Sequence, residues 1–195
     1  MRLLGVVASS YFKSTTAFNS IATTTVGSGG AASVTFTESG SAWADYTHLQ
    51  IRGIARTNRS GFSNDGAKVQ FNNDTGSNYA MHQIYSDGHT ISANNLTNTN
   101  VQQVAFLTGA SAISNNFGSF VIDILDFKNT NKYKTLRAIG GQDNNDQSSD
   151  TEYSWVGLTS ILWMNTNAIT SITLSPRVGS NFQQYSSFAL YGIKA

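Results

Sequence analysis

Apolar side chains recur at every second position in most segments of this chain where a pattern can be read. In YTHLQIRGIAR, Leu49 and Ile51 share one face and Arg52 lies on the other. Because successive side chains of a strand point to opposite faces, this period of two predicts β-strands. No long segment has the 3.6-residue period of an amphipathic helix. The chain is therefore predicted to be all-β.

About nine to eleven short strands are predicted, at intervals of roughly 12–20 residues. Two pairs of them are predicted to form hairpins. Strands Ile21–Val26 and Ser33–Thr37 would be joined by the glycine-rich turn Gly27–Gly30, because glycine tolerates the positive φ of a tight turn. Strands Ser119–Phe127 and Tyr133–Ile139 would be joined by an Asn-rich turn.

The chain ends with SSFALYGIKA, in which both alternating sets of positions carry bulky apolar side chains. This pattern predicts a last strand that is covered on both faces and lies inside a sheet. Strands at this spacing are typical of sandwiches and barrels. We predict a single jelly-roll-like antiparallel β-sandwich over residues 19–195, preceded by a short N-terminal arm or strand over residues 1–18.

The composition excludes several classes of protein. Charged residues make up only 12% of the chain and the formal net charge is +1. The Lys and Arg residues are spread out, so no basic run predicts a nucleic-acid partner. No segment approaches the ~20 apolar residues of a membrane span, so no membrane insertion is expected. The chain has no cysteine, which excludes disulfides, thiolate metal sites and a cysteine nucleophile.

Nothing in the sequence predicts catalysis or a cofactor. His48, His82 and His89 lie in no known catalytic motif, and no phosphate-binding or dinucleotide-binding fingerprint is present. Asp123 and Asp126 are three apart in a predicted strand, so they should point to opposite faces rather than act as a glycosidase pair. We therefore predict no enzyme, no catalytic residue and no cofactor.

A metal site is also not expected. The polar loop GGQDNNDQSSDTE contains Asp143, Asp146, Asp150 and Glu152, and oxygen-rich loops can hold calcium. Their spacing departs from the EF-hand pattern, however, because no glycine occupies the required position and the final Glu comes too early. The loop is interpreted as a solvated connection at the edge of the sandwich.

Aromatic residues leave carbohydrate binding open as an alternative function. Trp43 and Tyr46 are the candidate glycan-binding residues, because Trp43 lies in the loop SGSAWADY and aromatic faces suit the apolar faces of sugars. Trp155 and Trp163 are eight residues apart in an alternating run, so they should share one face and be buried.

Two groups of residues are candidates for binding a protein partner. Arg52, Arg56 and Arg59 would form a positive ridge, and arginine is enriched in protein interfaces. The arm is apolar enough to require cover, from this subunit or from a neighbour. Its candidate contact residues are Leu3, Leu4, Val6, Val7, Tyr11 and Phe12.

Three blocks together resemble a family of small virion structural proteins of tailed bacteriophages, including phages of cyanobacteria. The blocks are SIATTTVGSGGAASVTFTESG with YTHLQIRGIAR, FVIDILDFKNTNKYKTLRAIGG, and AITSITLSPRVGSNFQQYSSFALYGIKA. The resemblance covers the chain from about residue 20 to its end, and none of its blocks carries catalysis. It implies a β-sandwich on the virion exterior, in a tail fibre or baseplate-linked appendage, or in a head decoration (cement) protein.

The resemblance also implies partners. A homotrimer or another homo-oligomer is expected, in contact with other virion proteins of the capsid, baseplate or tail. The arm would dock on a neighbour or on the particle, for example by adding a strand to an exposed sheet edge. Under the alternative, a carbohydrate-binding module for receptor recognition, host surface polysaccharide would be the partner.

Overall fold

A computed structural model describes residues 17–100, 102–145 and 154–194. Within these ranges the chain forms strands, turns and loops, and it contains no helix that could span a membrane. The twelve strands are β1 Phe18–Thr25, β2 Val34–Thr37, β3 His48–Ala55, β4 Asn64–Phe71, β5 Tyr79–Ser86, β6 Ile91–Thr99, β7 Ala105–Thr108, β8 Gly118–Ile124, β9 Lys134–Gln142, β10 Trp155–Trp163, β11 Ser171–Pro176 and β12 Ser187–Ile193.

Eight of these strands pair in a nested antiparallel pattern. β1 pairs with β12, β2 with β11, β3 with β8, and β4 with β7. Each sheet contains two of these pairs: β1-β12-β3-β8 is part of one sheet, and β2-β11-β4-β7 forms the other. A long antiparallel hairpin rolled into two sheets in this way is a jelly roll. The predicted jelly-roll-like β-sandwich is confirmed.

The remaining four strands extend one of the two sheets. β9, β10, β5 and β6 follow β8 in that order, which gives a long sheet of eight strands against a short sheet of four. Strand β7, at the edge of the short sheet, packs against β8, β9 and β10. The hairpin β5-β6 therefore prolongs the long sheet past the edge of the short one. This overhang forms one wall of a cleft between the sheets.

The core lies between the two sheets and consists of the inward-facing residues of both. Leu49 and Ile51 of β3 are fully buried, as their alternation predicted, and so are Val69 and Phe71 of β4. Apolar area removed from water contributes roughly 25 cal/mol per Å², so burial of these faces drives the packing of the sheets. The other fully buried core residues of at least leucine size include Trp43, Trp163, Tyr79, Phe127, Phe182, Phe188, Met81 and Leu107.

One of the two predicted hairpins is wrong. The strand predicted at Ile21–Val26 belongs to β1 in the long sheet, whereas the strand predicted at Ser33–Thr37 belongs to β2 in the short sheet. The glycine-rich segment between them crosses from one sheet to the other. Ala31 in this crossing forms a bridge with Phe182. The second predicted hairpin is confirmed, because β8 and β9 are adjacent and antiparallel.

The terminal strand β12 lies between β1 and β3, so its predicted position inside a sheet is confirmed. Its burial is one-sided, however. Phe188 and Leu190 are fully buried, whereas Tyr191 on the other face is only half-buried and stacks on Phe18 with 4.7 Å between the ring centroids. The prediction of cover on both faces is wrong for the isolated subunit. Phe18 itself begins β1, so the sandwich starts within the range assigned to the arm.

Candidate interaction surface

A row of aliphatic side chains crosses the outer face of the long sheet. Strand pairing places Leu158 of β10 opposite Ile84 of β5 and Ile139 of β9. Ile139 in turn lies opposite Val121 of β8. Leu158 and Ile139 are each 56% exposed and Ile84 is 59% exposed. We call these four residues (Ile84, Leu158, Ile139 and Val121) the aliphatic row.

Strand β10 shows why the row is exposed. Its sequence WVGLTSILW is apolar at both alternating sets of positions. Thr159, Ile161 and Trp163 face the core and are buried, so Val156 and Leu158 must face outward. An antiparallel sheet normally keeps such a face polar. Contiguous exposed apolar surface rimmed by polar groups marks interaction sites.

A polar row borders the aliphatic row on one side. His82, Ser160 and Arg137 lie opposite one another on β5, β10 and β9, and Arg137 lies opposite Asp123 on β8. Asp123 accepts a hydrogen bond of 2.6 Å from Nε2 of Gln50. An apolar centre beside a polar, charged margin is an arrangement that protein interfaces also show.

A groove of about 730 Å³ adjoins the aliphatic row at one end of the sheet. Gly141 forms part of its lining, and a Cβ at this position would lie 2.5 Å from the carbonyl oxygen of Trp155. Asp143 lies at the polar end of the groove. The backbone N–H of Asn145 and the hydroxyl of Ser154 donate to its carboxylate and hold the pKa of Asp143 below its usual value.

The predicted arginine ridge does not form. Arg52 lies on the outer face opposite Val121 and so continues the line of the aliphatic row. Its guanidinium lies over the rings of Phe18 and Tyr191, at 5.0 Å and 5.5 Å from their centroids. Arg59 lies in the loop after β3, with its guanidinium 3.9 Å from the centroid of the Phe62 ring. The arginines are separated because the chain leaves the sheet after Ala55, the last residue of β3.

Arg56 is a structural residue in this fold, which corrects its prediction as a partner contact. It is only 8% exposed, and its burial lowers the pKa of the guanidinium. Its Nη atoms donate to four backbone carbonyl oxygens at 2.7–3.1 Å, those of Ala110, Ala112, Ile113 and Asn116. A guanidinium has five donors in a fixed fork, so it can bind all four oxygens at once and fix the conformation of the loop at residues 110–116.

The predicted glycan-binding residues are also placed differently. Trp43 is 1% exposed and packs edge-on against Phe127, with 5.9 Å between the centroids. It cannot stack on a sugar, so this prediction is corrected: the turns around it insert the indole into the core, where its large apolar area is removed from water. Tyr46 is half-buried, and its ring occupies the space where a Cβ on Gly192 would stand.

The shared face of Trp155 and Trp163 is confirmed, because both lie on the inner side of β10. Trp163 is buried, whereas Trp155 is half-buried and stacks on Phe106 with 5.4 Å between the centroids. The sequence contains one signal for the exposed residues Val156 and Leu158, which were not predicted as contact residues. If the two tryptophans face inward, the intervening Val156 and Leu158 must face outward.

No candidate catalytic cluster is evident among the residues that the structure places. Oδ1 of Asp87 accepts hydrogen bonds from the backbone N–H groups of His89 and Thr90, at 2.8 Å and 2.6 Å, as in an ordinary turn. Asp126 lies beyond the end of β8 with φ 48° and pairs with Lys132. The parity argument for Asp123 and Asp126 therefore does not apply, because β8 ends before Asp126.

Some predicted residues lie outside the described ranges. They are Leu3, Leu4, Val6, Val7, Tyr11 and Phe12 of the arm, and Asp146, Asp150 and Glu152 of the acidic loop. In the part of the chain that the structure does describe, no group of three or more His, Asp or Glu side chains is arranged to hold a metal ion.

Comparisons with known proteins give no assignment, since no family model matches the chain and no curated protein sequence is significantly similar to it. The molecule is thus placed by its fold, a jelly-roll β-sandwich with an extended sheet.

Proposed function

We propose that this protein is a non-enzymatic structural module of a tailed-phage virion and that it assembles with copies of itself through the outer face of its long sheet. The aliphatic row is the observation that carries the assembly part of this proposal. The virion assignment rests on the resemblance of the three sequence blocks. That resemblance favours the particle exterior, in a tail appendage or a head decoration.

The size of the face favours a second copy as the partner. Eight strands spaced ~4.8 Å apart make a sheet ~35 Å wide, and strands of seven to nine residues at ~3.3 Å per residue are ~25 Å long. The product is ~900 Å², close to the ~800 Å² that each partner contributes to a stable interface. Closed symmetric homo-oligomers are common among soluble proteins, and a trimer is the form that the sequence resemblance favours.

The energetics favour burial of the aliphatic row. Complete burial of an aliphatic side chain contributes about 1.5–3 kcal/mol, and three of these residues are still more than half exposed in the isolated subunit. Each therefore retains ~1 kcal/mol or more to contribute to association. Arg52 lies on the same face with its guanidinium over two aromatic rings, and arginine and aromatic residues are enriched in interfaces.

An acidic substitution tests the assembly surface. Molar mass is measured by light scattering over a concentration series for the full chain, Leu158→Glu and Val178→Glu. Val178 is a matched control, because it is 58% exposed but lies in the loop after β11, away from the aliphatic row. We expect Leu158→Glu to shift the oligomer to monomer and Val178→Glu to leave it unchanged. A monomeric full chain, or equal behaviour of both variants, would exclude the proposed surface.

The arm is proposed as a second assembly element. Strand β1 is at the edge of the long sheet, so one side of it has no strand partner among the described residues. Such an edge can accept an added strand from a neighbouring molecule. Deletion of residues 1–16 keeps Phe18 and its stack on Tyr191. We expect the shortened chain to keep a cooperative thermal transition but to form smaller oligomers.

Carbohydrate recognition is a second candidate function. It no longer rests on Trp43, which is buried in the core. A different aromatic cluster, around Trp155, favours it.

A further inference from the structure

A cleft of about 190 Å³ lies on the inner side of the overhang formed by β5 and β6. It is separate from the aliphatic row, which lies on the outer face of the same sheet. Strands β5 and β10 form one wall, and β4 with the segment that leads into β7 forms the other. The cleft residues on which the argument depends are Tyr85, Phe106, Trp155, Gln103, Arg59 and Arg177.

Three aromatic rings form the apolar wall of the cleft. Trp155 stacks on Phe106 with an interplanar angle of 15°, and Tyr85 lies 5.5 Å from both rings, measured between centroids. Phe106 is 8% exposed, whereas Trp155 and Tyr85 are half-buried and keep accessible surface. A Cβ at position 157 would lie 2.6 Å from the Phe106 ring, so Gly157 is what allows that ring to lie against β10.

A buried amide faces the cleft without a hydrogen-bond acceptor. Gln103 is 9% exposed, and its Nε2 has no hydrogen-bond partner among the described residues. Its side chain occupies the space over Gly66, where a Cβ would lie 2.7 Å away. A buried donor that lacks an acceptor destabilises the folded state. A ligand that supplies an acceptor oxygen would remove this destabilisation.

The charges in the cleft favour an acidic ligand. Asp65 is 2% exposed, and its two carboxylate oxygens accept four hydrogen bonds at 2.7–3.2 Å, from the Thr57 hydroxyl and from the backbone N–H groups of Gly66, Val178 and Gly179. Its acceptors are thus occupied by the protein. The rim carries two cations, Arg59 and Arg177, which can donate to a carboxylate.

We propose that this cleft binds one carboxylate-bearing sugar residue of an acidic polysaccharide. The apolar face of the pyranose ring would lie on Trp155 and Tyr85, where aromatic rings stack well on C–H groups. A ring or hydroxyl oxygen would accept a hydrogen bond from Nε2 of Gln103. The carboxylate would pair with Arg177 at the rim. This site does not depend on the proposed assembly surface, because the two lie on opposite faces of the long sheet.

The size of the cleft has a consequence for affinity. Ligand pockets usually measure ~300–1,000 Å³, so a cleft of about 190 Å³ holds a single sugar ring and binds weakly. Several weak sites in one oligomer would bind a polymer far more tightly than one site does.

Titration with two matched trisaccharides tests the site. The probes are a β-1,4-linked trimer of glucuronic acid and cellotriose, which differ only in the carboxylate groups. Binding is followed by tryptophan fluorescence, because Trp155 lines the cleft. We expect saturable binding of the acidic trimer and at least tenfold weaker binding of cellotriose. No saturable binding of the acidic trimer, or equal binding of both probes, overturns the proposal.

Three variants locate the binding. Gln103→Glu replaces the free amide donor with a carboxylate of the same shape, and we expect it to weaken binding of the acidic trimer at least tenfold. Arg177→Gln changes an exposed rim residue, so it keeps the test decisive if Gln103→Glu fails to fold. Lys128→Gln, in the turn between β8 and β9, removes one positive charge outside the cleft and should bind like the full chain. Wild-type affinity in Arg177→Gln, or an equal loss in Lys128→Gln, contradicts the assignment.

Discussion

The indole Nε1 of Trp163 donates a hydrogen bond of 2.7 Å to Oδ2 of Asp74. Trp163 ends β10 in the long sheet, and Asp74 lies in the turn after β4 in the short sheet, so this bond ties the two sheets together. Asp74 also accepts hydrogen bonds from the backbone N–H of Gly76 and the side-chain amide of Asn78. One carboxylate thus joins a buried tryptophan to the turn.

Asp74→Ala should destabilise the fold. Hydrogen bonds to a charged group contribute about 1.5–3 kcal/mol, and the variant would leave the buried Trp163 indole without its acceptor. We expect the free energy of unfolding to fall by about 2 kcal/mol at pH 7, measured by urea denaturation. Asn78→Ala is the control, since it removes only an exposed donor to the same carboxylate and should cost less.

The effect of Asp74 should depend on pH. Partial burial acts to raise the pKa of Asp74, but hydrogen bonds from Trp163, Asn78 and Gly76 outweigh it and lower the pKa. A carboxylate with a lowered pKa stabilises the folded state above its unfolded pKa of about 3.9, and this contribution is lost as the pH falls through the folded pKa. The stability difference between the full chain and Asp74→Ala should therefore shrink below pH ~4. A difference that grows with acid would contradict this account.

Arg56→Lys should destabilise the protein although the positive charge is retained. An ammonium group has three donors, so it cannot replace the fork that binds four carbonyl oxygens of the loop at residues 110–116. Unpaired buried groups are costly, and we expect a loss of about 3 kcal/mol in the free energy of unfolding. Hydrogen exchange should become faster in that loop.

Arg52→Lys is the matched control for this substitution. Arg52 lies on the exposed outer face, and its Nε donates to Oε1 of Gln50 at 2.8 Å. Exposed polar and cation–ring contacts of this kind contribute about 0.5–1 kcal/mol. Equal losses of stability in the two variants would show that burial of Arg56 is not what makes it necessary.

Removal of β12 should unfold the domain. The strand is hydrogen-bonded to β1 on one side and β3 on the other, and Phe188 and Leu190 are fully buried. We expect a chain that stops at residue 186 to lack a cooperative thermal transition, because the loss of β12 opens both the long sheet and the core. A chain that stops at residue 193 should melt close to the full chain. A folded product of the first truncation would mean that the remaining strands close the sheet themselves.

Local sequence patterns predicted the strands whose residues alternate clearly and the turns with a typical turn composition. The alternation around Leu49 and Ile51 identified β3 and its buried face, and the Asn-rich turn identified the hairpin of β8 and β9. Strand β6 (ISANNLTNT) was missed, because its side chains are mostly polar and exposed and its main-chain pairing with β5 defines it as a strand. Pairing partners are distant in sequence, so no local pattern reports them.

The site residues were harder to predict for the same reason. Trp43 and Arg56 were expected at the surface from their residue type and their neighbours, yet both are buried by segments far along the chain. No prediction was made for Leu158, although its strand is apolar at both sets of positions, so that one set has to face outward. The long-range pairing of the strands decides which face of β10 packs toward the short sheet and which face stays exposed.

The sequence by itself determined the all-β class, the two-residue period of the core and the place of the last strand inside a sheet, because strand geometry imposes a local pattern that side-chain chemistry can match. Only the tertiary structure decided that β1 and β2 part into different sheets, that β5 and β6 overhang the short sheet, and that Gln103 lies in a cleft beside Trp155. These relationships depend on long-range antiparallel pairing, and its energy comes from burying surfaces that are brought together only when the whole jelly roll closes.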